Sequence, residues 1–262
     1  MSGALEAGLL ARREAGGKAL VPYVTGGFGA WERIVEAIAD AGADAIEVGI
    51  PFSDPVMDGP VIQEASQRAL DAGATPVSIV DRLADVDVPV PMAVMTYYNL
   101  VYRFGPERFA AELAAAGVAG AILPDLPLDE AGPWLAAAGP AGVEPVLLAA
   151  PTSPQDRLAA ICEQSRGFVY GVGLLGVTGE RAALAATAKE VAARLKATTD
   201  TPVLVGVGVS TPEQAVETCE VADGVVVGSA IVRHILEGAE PADVAALVGE
   251  FRTALDAHWP TK

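Results

Sequence analysis

The sequence is poor in cysteine and in histidine, and both shortages exclude classes of protein. Its 262 residues include two cysteines and two histidines. Cys162 and Cys219 form neither a CxxC pair nor a disulfide framework, which is typical of a reducing compartment, so we predict a cytoplasmic protein. His234 and His258 lie near the C-terminus, and they predict neither a histidine-based metal site nor a catalytic triad.

Positive charge is also scarce. Seventeen lysines and arginines stand against 34 aspartates and glutamates, for a net charge of −17. Such a chain repels nucleic acid and anionic membranes, and no uncharged run reaches the ~18 residues that a bilayer-spanning helix needs. An anionic substrate would gain nothing from long-range attraction, so we expect backbone donors in the site to hold it.

The sequence does contain a regular alternation of short hydrophobic runs with longer helical patterns. Eight runs predict strands, over residues 19–25, 44–50, 90–97, 119–125, 144–150, 167–173, 201–207 and 223–229. Helical patterns lie between them, as at 31–43, 106–118 and 180–197. Several strands are almost continuously hydrophobic, which is typical of parallel strands covered on both faces.

Eight strand–helix units in about 250 residues predict an α/β fold, a (β/α)₈ TIM barrel. We expect one domain over residues 1–262, with an extra N-terminal helix over 3–14. A doubly wound open sheet is the main alternative. It would favour GxGxxG after the first strand, and VTGGFGAW does not supply that motif.

Glu47 is a carboxylate in the middle of a hydrophobic strand. It shares a strand face with Ala45 and Gly49, while Ile46 and Val48 take the other face. The bulky face suits the helical layer, so we expect Glu47 to point into the barrel, where loss of water would raise its pKa and favour acid–base catalysis. The alternative is a structural glutamate in an internal ion pair or hydrogen bond.

Asp58 lies in the loop PFSDPVMDGP, which follows the same strand. One interpretation makes it a second catalytic carboxylate, carried by a loop to which Gly59 lends freedom. The other makes it a turn residue or the N-cap of the helix that begins near VIQEASQRAL.

The last third of the chain has three glycine-containing junctions between a loop and a helix. GVTGE contains Gly179, GVGVSTPEQ contains Gly208, and VVVGSAIV contains Gly228 and Ser229. Backbone N–H groups at helix N-termini bind phosphate without lysine or arginine. We therefore predict a phosphate site here, and we expect Ser210 and Glu213 to form a capping box for the helix after Gly208.

Together these segments resemble the tryptophan synthase α-subunit family. The similarity covers nearly the whole chain, since VPYVTGG, AGADAIEVGIPFSDPVMDGPVIQ, TYYNLVY, PDLP, GFVYGVGLLGVTG, GVGVSTPEQ and GSAIV follow in the family's order. The resemblance implies a lyase that cleaves indole-3-glycerol phosphate to indole and glyceraldehyde 3-phosphate without a cofactor or metal. It also implies a β-subunit partner in an α₂β₂ heterotetramer.

The resemblance assigns roles to individual residues. Glu47 and Asp58 match the catalytic carboxylates; Gly179, Gly208, Gly228 and Ser229 match the phosphate cradle; Tyr170 matches a tyrosine near the glutamate; and Thr178 matches a loop threonine that meets the aspartate on closure. We also expect Tyr23, Tyr97 and Val207 to form the wall around the indole.

One segment departs from the family pattern. Gly173, Leu174 and Leu175 stand where the family more often has polar residues, which affects how this loop closes and how it couples to the β subunit. We expect weak activity alone and stimulation by the partner. Two other functions stay open from the residues: another phosphate-binding barrel enzyme, such as an isomerase or epimerase of sugar phosphates, and a non-catalytic assembly partner.

Overall fold

The computed structural model describes residues 3–172, 181–206 and 208–261. Eight parallel strands close into a barrel in which each strand pairs with the next along the chain and the last pairs with the first. The strands are β1 (Ala19–Thr25), β2 (Ile46–Gly49), β3 (Met92–Met95), β4 (Val118–Ile122), β5 (Glu144–Ala149), β6 (Val169–Gly171), β7 (Val203–Val205) and β8 (Gly224–Val227). The predicted TIM barrel is confirmed.

Helices surround this barrel. They are α1 (Ala4–Glu14), α2 (Trp31–Asp40), α3 (Pro60–Asp71), α4 (Pro76–Leu83), α5 (Tyr98–Phe104), α6 (Pro106–Ala115), α7 (Gly132–Ala141), α8 (Gln155–Gln164), α9 (Arg181–Lys196), α10 (Pro212–Cys219), α11 (Ser229–Leu236) and α12 (Pro241–His258), with a short 3₁₀ helix over Leu128–Glu130. In the described part of the chain, none of them is long and apolar enough to cross a membrane.

Two predicted helices end earlier than their apolar patterns suggested. The patterns at 31–43 and 106–118 run through Gly42 and Gly117, which have φ angles of +98° and +74°. Glycine adopts this left-handed conformation readily, and it ends a helix. Accordingly α2 ends at Asp40 and α6 ends at Ala115.

Side chains alternate along each strand between the outside and the inside of the barrel, and this divides the hydrophobic core into two layers. Leu20 and Val24 of β1 face outward and pack in the cluster between barrel and helices. Val21 and Tyr23 face inward and pack inside the barrel. Inward-facing residues of β1 and β2 therefore lie inside the barrel, close to the loops that follow the C-terminal ends of the strands.

Helix α1 closes the opposite end of the barrel. Leu5 and Leu9 of α1 are buried in the inner cluster. The carboxylate of Glu144, the first residue of β5, accepts hydrogen bonds from the backbone N–H groups of Leu5 at 2.8 Å and Glu6 at 3.0 Å. A strand residue thus satisfies two of the donors that a helix leaves free at its N-terminus.

Candidate active site

Glu47 points into the barrel, as its neighbours in sequence indicated. Its strand position pairs with Tyr23 on β1 and with Ala93 on β3, and its side chain is 1% exposed. Among the described residues its Oε2 atom has no hydrogen-bond partner. Burial raises the pKa of Glu47 from an ordinary value of 4.5 to about 8, and the charge of Asp58 adds to the rise. This side chain is therefore mostly protonated near pH 7.

Asp58 lies in the loop between β2 and α3, half-buried. The prediction that it caps α3 is wrong: Gly59 is the N-cap, α3 begins with Pro60, and no side chain caps the helix. Its backbone carbonyl accepts a hydrogen bond from Gln63 Nε2 at 2.8 Å. Burial raises the pKa of Asp58, and a hydrogen bond from Tyr97 opposes that rise.

Both carboxylates border one cavity of about 220 Å³ at the C-terminal ends of the strands. Its lining residues are Tyr23, Glu47, Met57, Asp58, Gly59, Ile62, Met95, Ile122, Pro124, Leu148, Tyr170, Val172, Gly206, Gly208, Val226, Gly228 and Ser229. No lysine, arginine or histidine is among these described residues. The cavity has an acidic centre, an apolar wall and a glycine-rich rim, so it suits an apolar ring with an anionic tail.

Two buried tyrosines flank Glu47. Burial raises the pKa of Tyr23 and of Tyr170 well above the ordinary value of 10, and the nearby carboxylates add to both rises. Their rings lie over glycines of the neighbouring strand or loop: a Cβ atom on Gly49 would overlap the Tyr23 hydroxyl, and one on Gly206 would overlap that of Tyr170. Both phenols therefore stay protonated at neutral pH, where they can form hydrogen bonds but do not release a proton.

Tyr97 was predicted to line the indole pocket, but its contacts are with the loop after β2. It is 3% exposed and is not among the described residues that line the cavity. Its hydroxyl instead accepts a hydrogen bond from the backbone N–H of Met57 at 3.0 Å. Its ring stacks on Phe52, with 5.0 Å between ring centroids. Tyr97 therefore contacts the loop that carries Asp58.

The glycine-rich rim brings together part of the predicted phosphate cradle. Gly208, with a φ of +82°, lies between β7 and α10. Gly228 is the N-cap of α11, and Ser229 is its first residue. All three line the cavity beside Gly206. Free backbone N–H groups at the start of α11 thus face the same space as the two carboxylates.

The capping box predicted for α10 from Ser210 and Glu213 is wrong. Thr211 is the N-cap, and its side chain accepts from the backbone N–H of Gln214 at 3.4 Å. The Gln214 side chain accepts in turn from the backbone N–H of Ser210 at 2.8 Å. Because Ser210 precedes the N-cap, these two hydrogen bonds do not form the reciprocal pair of a capping box.

Several predicted residues lie outside the described part of the chain. They are Thr178 and Gly179, the Gly173–Leu174–Leu175 segment, and Val207. Sequence reasoning also missed much of the apolar wall, including Ile62, Met95, Ile122, Leu148 and Val226. The alternation that placed Glu47 inside would have found Met95, because it follows Ala93 by two residues on the inner face of β3.

The sequence matches the family model described as tryptophan synthase alpha chain over residues 9–256. The chain belongs to this family. A tryptophan synthase alpha chain from Streptomyces coelicolor is 46% identical over 253 residues, covering 95% of this chain and 93% of the relative. One from Thermobifida fusca is 43% identical over 256 residues, covering 95% of each chain.

Solved structures agree with this assignment. A tryptophan synthase structure from Mycobacterium tuberculosis superposes with a TM-score of 0.88 at 39% sequence identity, covering 97% of this chain and 99% of that chain. The barrel is therefore that of a tryptophan synthase alpha chain, and the family resemblance given by the motifs is confirmed.

Proposed function

We propose that this chain cleaves indole-3-glycerol phosphate to indole and glyceraldehyde 3-phosphate, with Glu47 and Asp58 as its catalytic residues. The reaction is that of a lyase of tryptophan biosynthesis, which is the role of the family. The observation that carries the assignment of residues is that the two carboxylates border one cavity, whose rim contains the glycine-rich start of α11.

Cleavage of the bond between indole C3 and the side chain requires two proton movements. A proton added to C3 places positive charge on the indole ring, and loss of the proton on the adjacent hydroxyl makes the aldehyde as the bond breaks. The bonding electrons return to the ring, which leaves as neutral indole. No oxidant or reductant is needed.

Glu47 suits the transfer of both protons. Since its pKa is about 8, it begins protonated at neutral pH and donates to C3, and the resulting carboxylate then accepts the hydroxyl proton. It ends each turnover in the state in which it began. A carboxylic acid of ordinary pKa would be ionised and could not start this sequence.

Asp58 has a different part in the same step. As a carboxylate at the cavity edge, it would stabilise the positive charge that develops at the indole N–H. The backbone N–H groups near Gly208 and Gly228, with the Ser229 hydroxyl, would bind the phosphate. The net charge of −17 gives no long-range attraction for a phosphate. These donors bind it at short range, so they do not depend on such attraction. Gly179 and Thr178 remain predicted members of the cradle and of the closing loop.

The expected partner is a tryptophan synthase β subunit in an α₂β₂ heterotetramer, which would receive the indole. We further propose that residues 1–262 act as one domain, that the protein is cytoplasmic, and that the reaction uses no cofactor. Membership of the family favours this lyase over a sugar-phosphate isomerase or a non-catalytic partner.

Release of indole by Glu47→Gln tests the proposal. The amide keeps the size and the hydrogen-bonding atoms of the side chain but cannot transfer a proton, so turnover should fall by about 10²- to 10⁴-fold while the fold and substrate binding persist. Glu36→Gln, at an exposed position of α2, is the matched control and should keep wild-type turnover. An unchanged kcat in Glu47→Gln would refute the proton-transfer role.

A further inference from the structure

The loop that carries Asp58 has little of its own to hold it. Residues 51–59, hereafter the Asp58 loop, form neither helix nor strand. Val56 at the loop's outer side is 76% exposed, and Ser53 and Asp54 are exposed as well. A catalytic carboxylate nevertheless needs a fixed position relative to its substrate. Some contact with the barrel must supply that position.

Tyr97 supplies such contacts from the end of β3. Its ring stacks on Phe52 near the start of the loop, at 5.0 Å and 29° between ring planes. Its hydroxyl accepts the Met57 N–H at 3.0 Å near the end of the loop. The same hydroxyl interacts with the Asp58 carboxylate. One buried side chain thus touches both ends of the loop and its catalytic group.

We propose that Tyr97 is a positioning residue, which holds the Asp58 loop so that the Asp58 carboxylate faces the cavity beside Glu47. This inference rests on the proposed function. Tyr97 follows β3, and β3 pairs with β2, on which Glu47 lies opposite Ala93. The loop is therefore tied to the neighbour of the strand that carries the other catalytic carboxylate.

The hydroxyl matters more than the ring for this role. A phenol oxygen accepts one hydrogen bond while its O–H donates another, so it can join the Met57 N–H to the Asp58 carboxylate. Phenylalanine would keep the stack on Phe52 and lose both polar contacts. The adjacent Tyr98 has no such arrangement, because its ring is tilted against the exposed Tyr102 at the surface.

The groups that face Asp58 determine how its pKa should change in Tyr97→Phe. They are Glu47 on β2, Tyr23 on β1, Tyr170 on β6 and Tyr97 itself. Loss of the Tyr97 donor leaves burial unopposed and so raises the pKa of Asp58. Because the reaction uses ionised Asp58, the acid limb of the pH–rate profile should then move to higher pH.

The experiment compares Tyr97→Phe with Tyr98→Phe in the full chain, with and without the β subunit. For Tyr97→Phe we expect kcat to fall by about tenfold to a hundredfold, the scale of one lost charge-assisted hydrogen bond. The KM should change little, because the proposed phosphate donors follow β7 and β8 and are not among the groups that Tyr97 contacts. The acid limb should move to higher pH, and exchange of the Met57 amide hydrogen, followed by NMR, should accelerate. Tyr98→Phe should match the wild type in all four measurements.

The outcomes separate this inference from the proposed function. If the wild type releases no indole, the function itself is wrong. If the wild type is active and Asp58→Asn is not, but Tyr97→Phe keeps the wild-type kcat, acid limb and Met57 exchange, only the positioning role is overturned. Equal losses in Tyr97→Phe and Tyr98→Phe would also overturn it, since they would reflect general damage to this surface.

Discussion

Glu47 and Asp58 interact across one cavity, and the negative charge of Asp58 adds to burial in raising the pKa of Glu47 to about 8. The proposed reaction uses the two carboxylates in different protonation states at the same pH. One is held as an acid inside the barrel, and the other lies on a half-buried loop against a phenol. In that reaction one side chain transfers protons while the other supplies negative charge.

Stability should depend on pH through Glu47. Its pKa rises from 4.5 in the unfolded chain to about 8 in the folded one, so the folded state keeps a proton that the unfolded state releases between these values. The free energy of unfolding therefore falls as pH rises through this window. Glu47→Gln should be more stable than the wild type by about 5 kcal/mol near pH 9 and nearly equal to it near pH 4.5.

Urea unfolding at both pH values measures this difference. Glu36→Gln, at an exposed position, should track the wild type throughout. A Glu47→Gln advantage of the same size at both pH values would show that the effect is one of packing and not of ionisation.

Ser229→Ala should weaken binding of the phosphate. The Ser229 hydroxyl lies at the start of α11 on the rim of the cavity, where its loss would remove one hydrogen bond to a charged ligand. We expect the affinity for glycerol phosphate to fall by about 1–3 kcal/mol, with a smaller change in kcat. Calorimetric titration measures the affinity. Ser210→Ala, an exposed serine outside the cavity, is the control, and equal affinities in both variants would exclude the cradle.

Gly206→Ala should displace Tyr170. Gly206 does not have a positive φ, so alanine is excluded there by space alone: its Cβ would overlap the Tyr170 hydroxyl and ring. Overpacking of this kind costs about 1–3 kcal/mol of stability, and the displaced ring should enter the cavity and lower turnover. Thermal unfolding and indole release measure the two effects.

A glycine without close neighbours provides the control for that substitution. Gly249 lies inside α12 with no heavy atom within 4 Å of the position of an added Cβ. Gly249→Ala should stabilise the protein by about 0.5–1 kcal/mol. If Gly206→Ala behaved in the same way, the close packing of Tyr170 on Gly206 would be wrong.

Glu144→Ala should detach helix α1. It would leave the buried N–H of Leu5 and the part-buried N–H of Glu6 without their acceptor, at a cost of about 2–4 kcal/mol for the two groups. Glu144→Gln keeps one acceptor oxygen and should lose about half as much. Amide hydrogen exchange over α1 should accelerate in the same order. Fast exchange spread evenly over the barrel would instead indicate global destabilisation.

The fold and the inward orientation of Glu47 are predictable from local pattern. Parallel strands buried on both faces produce continuous hydrophobic runs, so the eight runs predict all eight strands, although most runs extend beyond the strands themselves. The run at 90–97 shows why: Pro91 has no N–H for the sheet, and β3 begins only at Met92. The orientation of Glu47 followed from the small residues on its strand face, because that alternation is a local property.

Contacts between distant segments had no such local signal. The Tyr97 hydroxyl meets a loop forty residues earlier in the chain, and nothing in TYYNLVY distinguishes that tyrosine from Tyr98. Glu144 meets α1 across 139 residues, and as a single polar residue before a strand it had no periodic partner. Ser210 and Thr211 are neighbours with similar preferences for the N-cap position. Which of them caps α10 depends on the backbone dihedrals, and the sequence alone does not predict these.

The pKa of Glu47 in the folded chain is the most direct test of the account. Titration of its ¹³C-labelled carboxyl group by NMR, with Glu47→Gln to assign the resonance, should give a midpoint near 8. A midpoint near the ordinary glutamate value of about 4.3 would mean that Glu47 is ionised at neutral pH. It could not then donate a proton to the indole ring, and the proposed catalytic cycle would have no starting state.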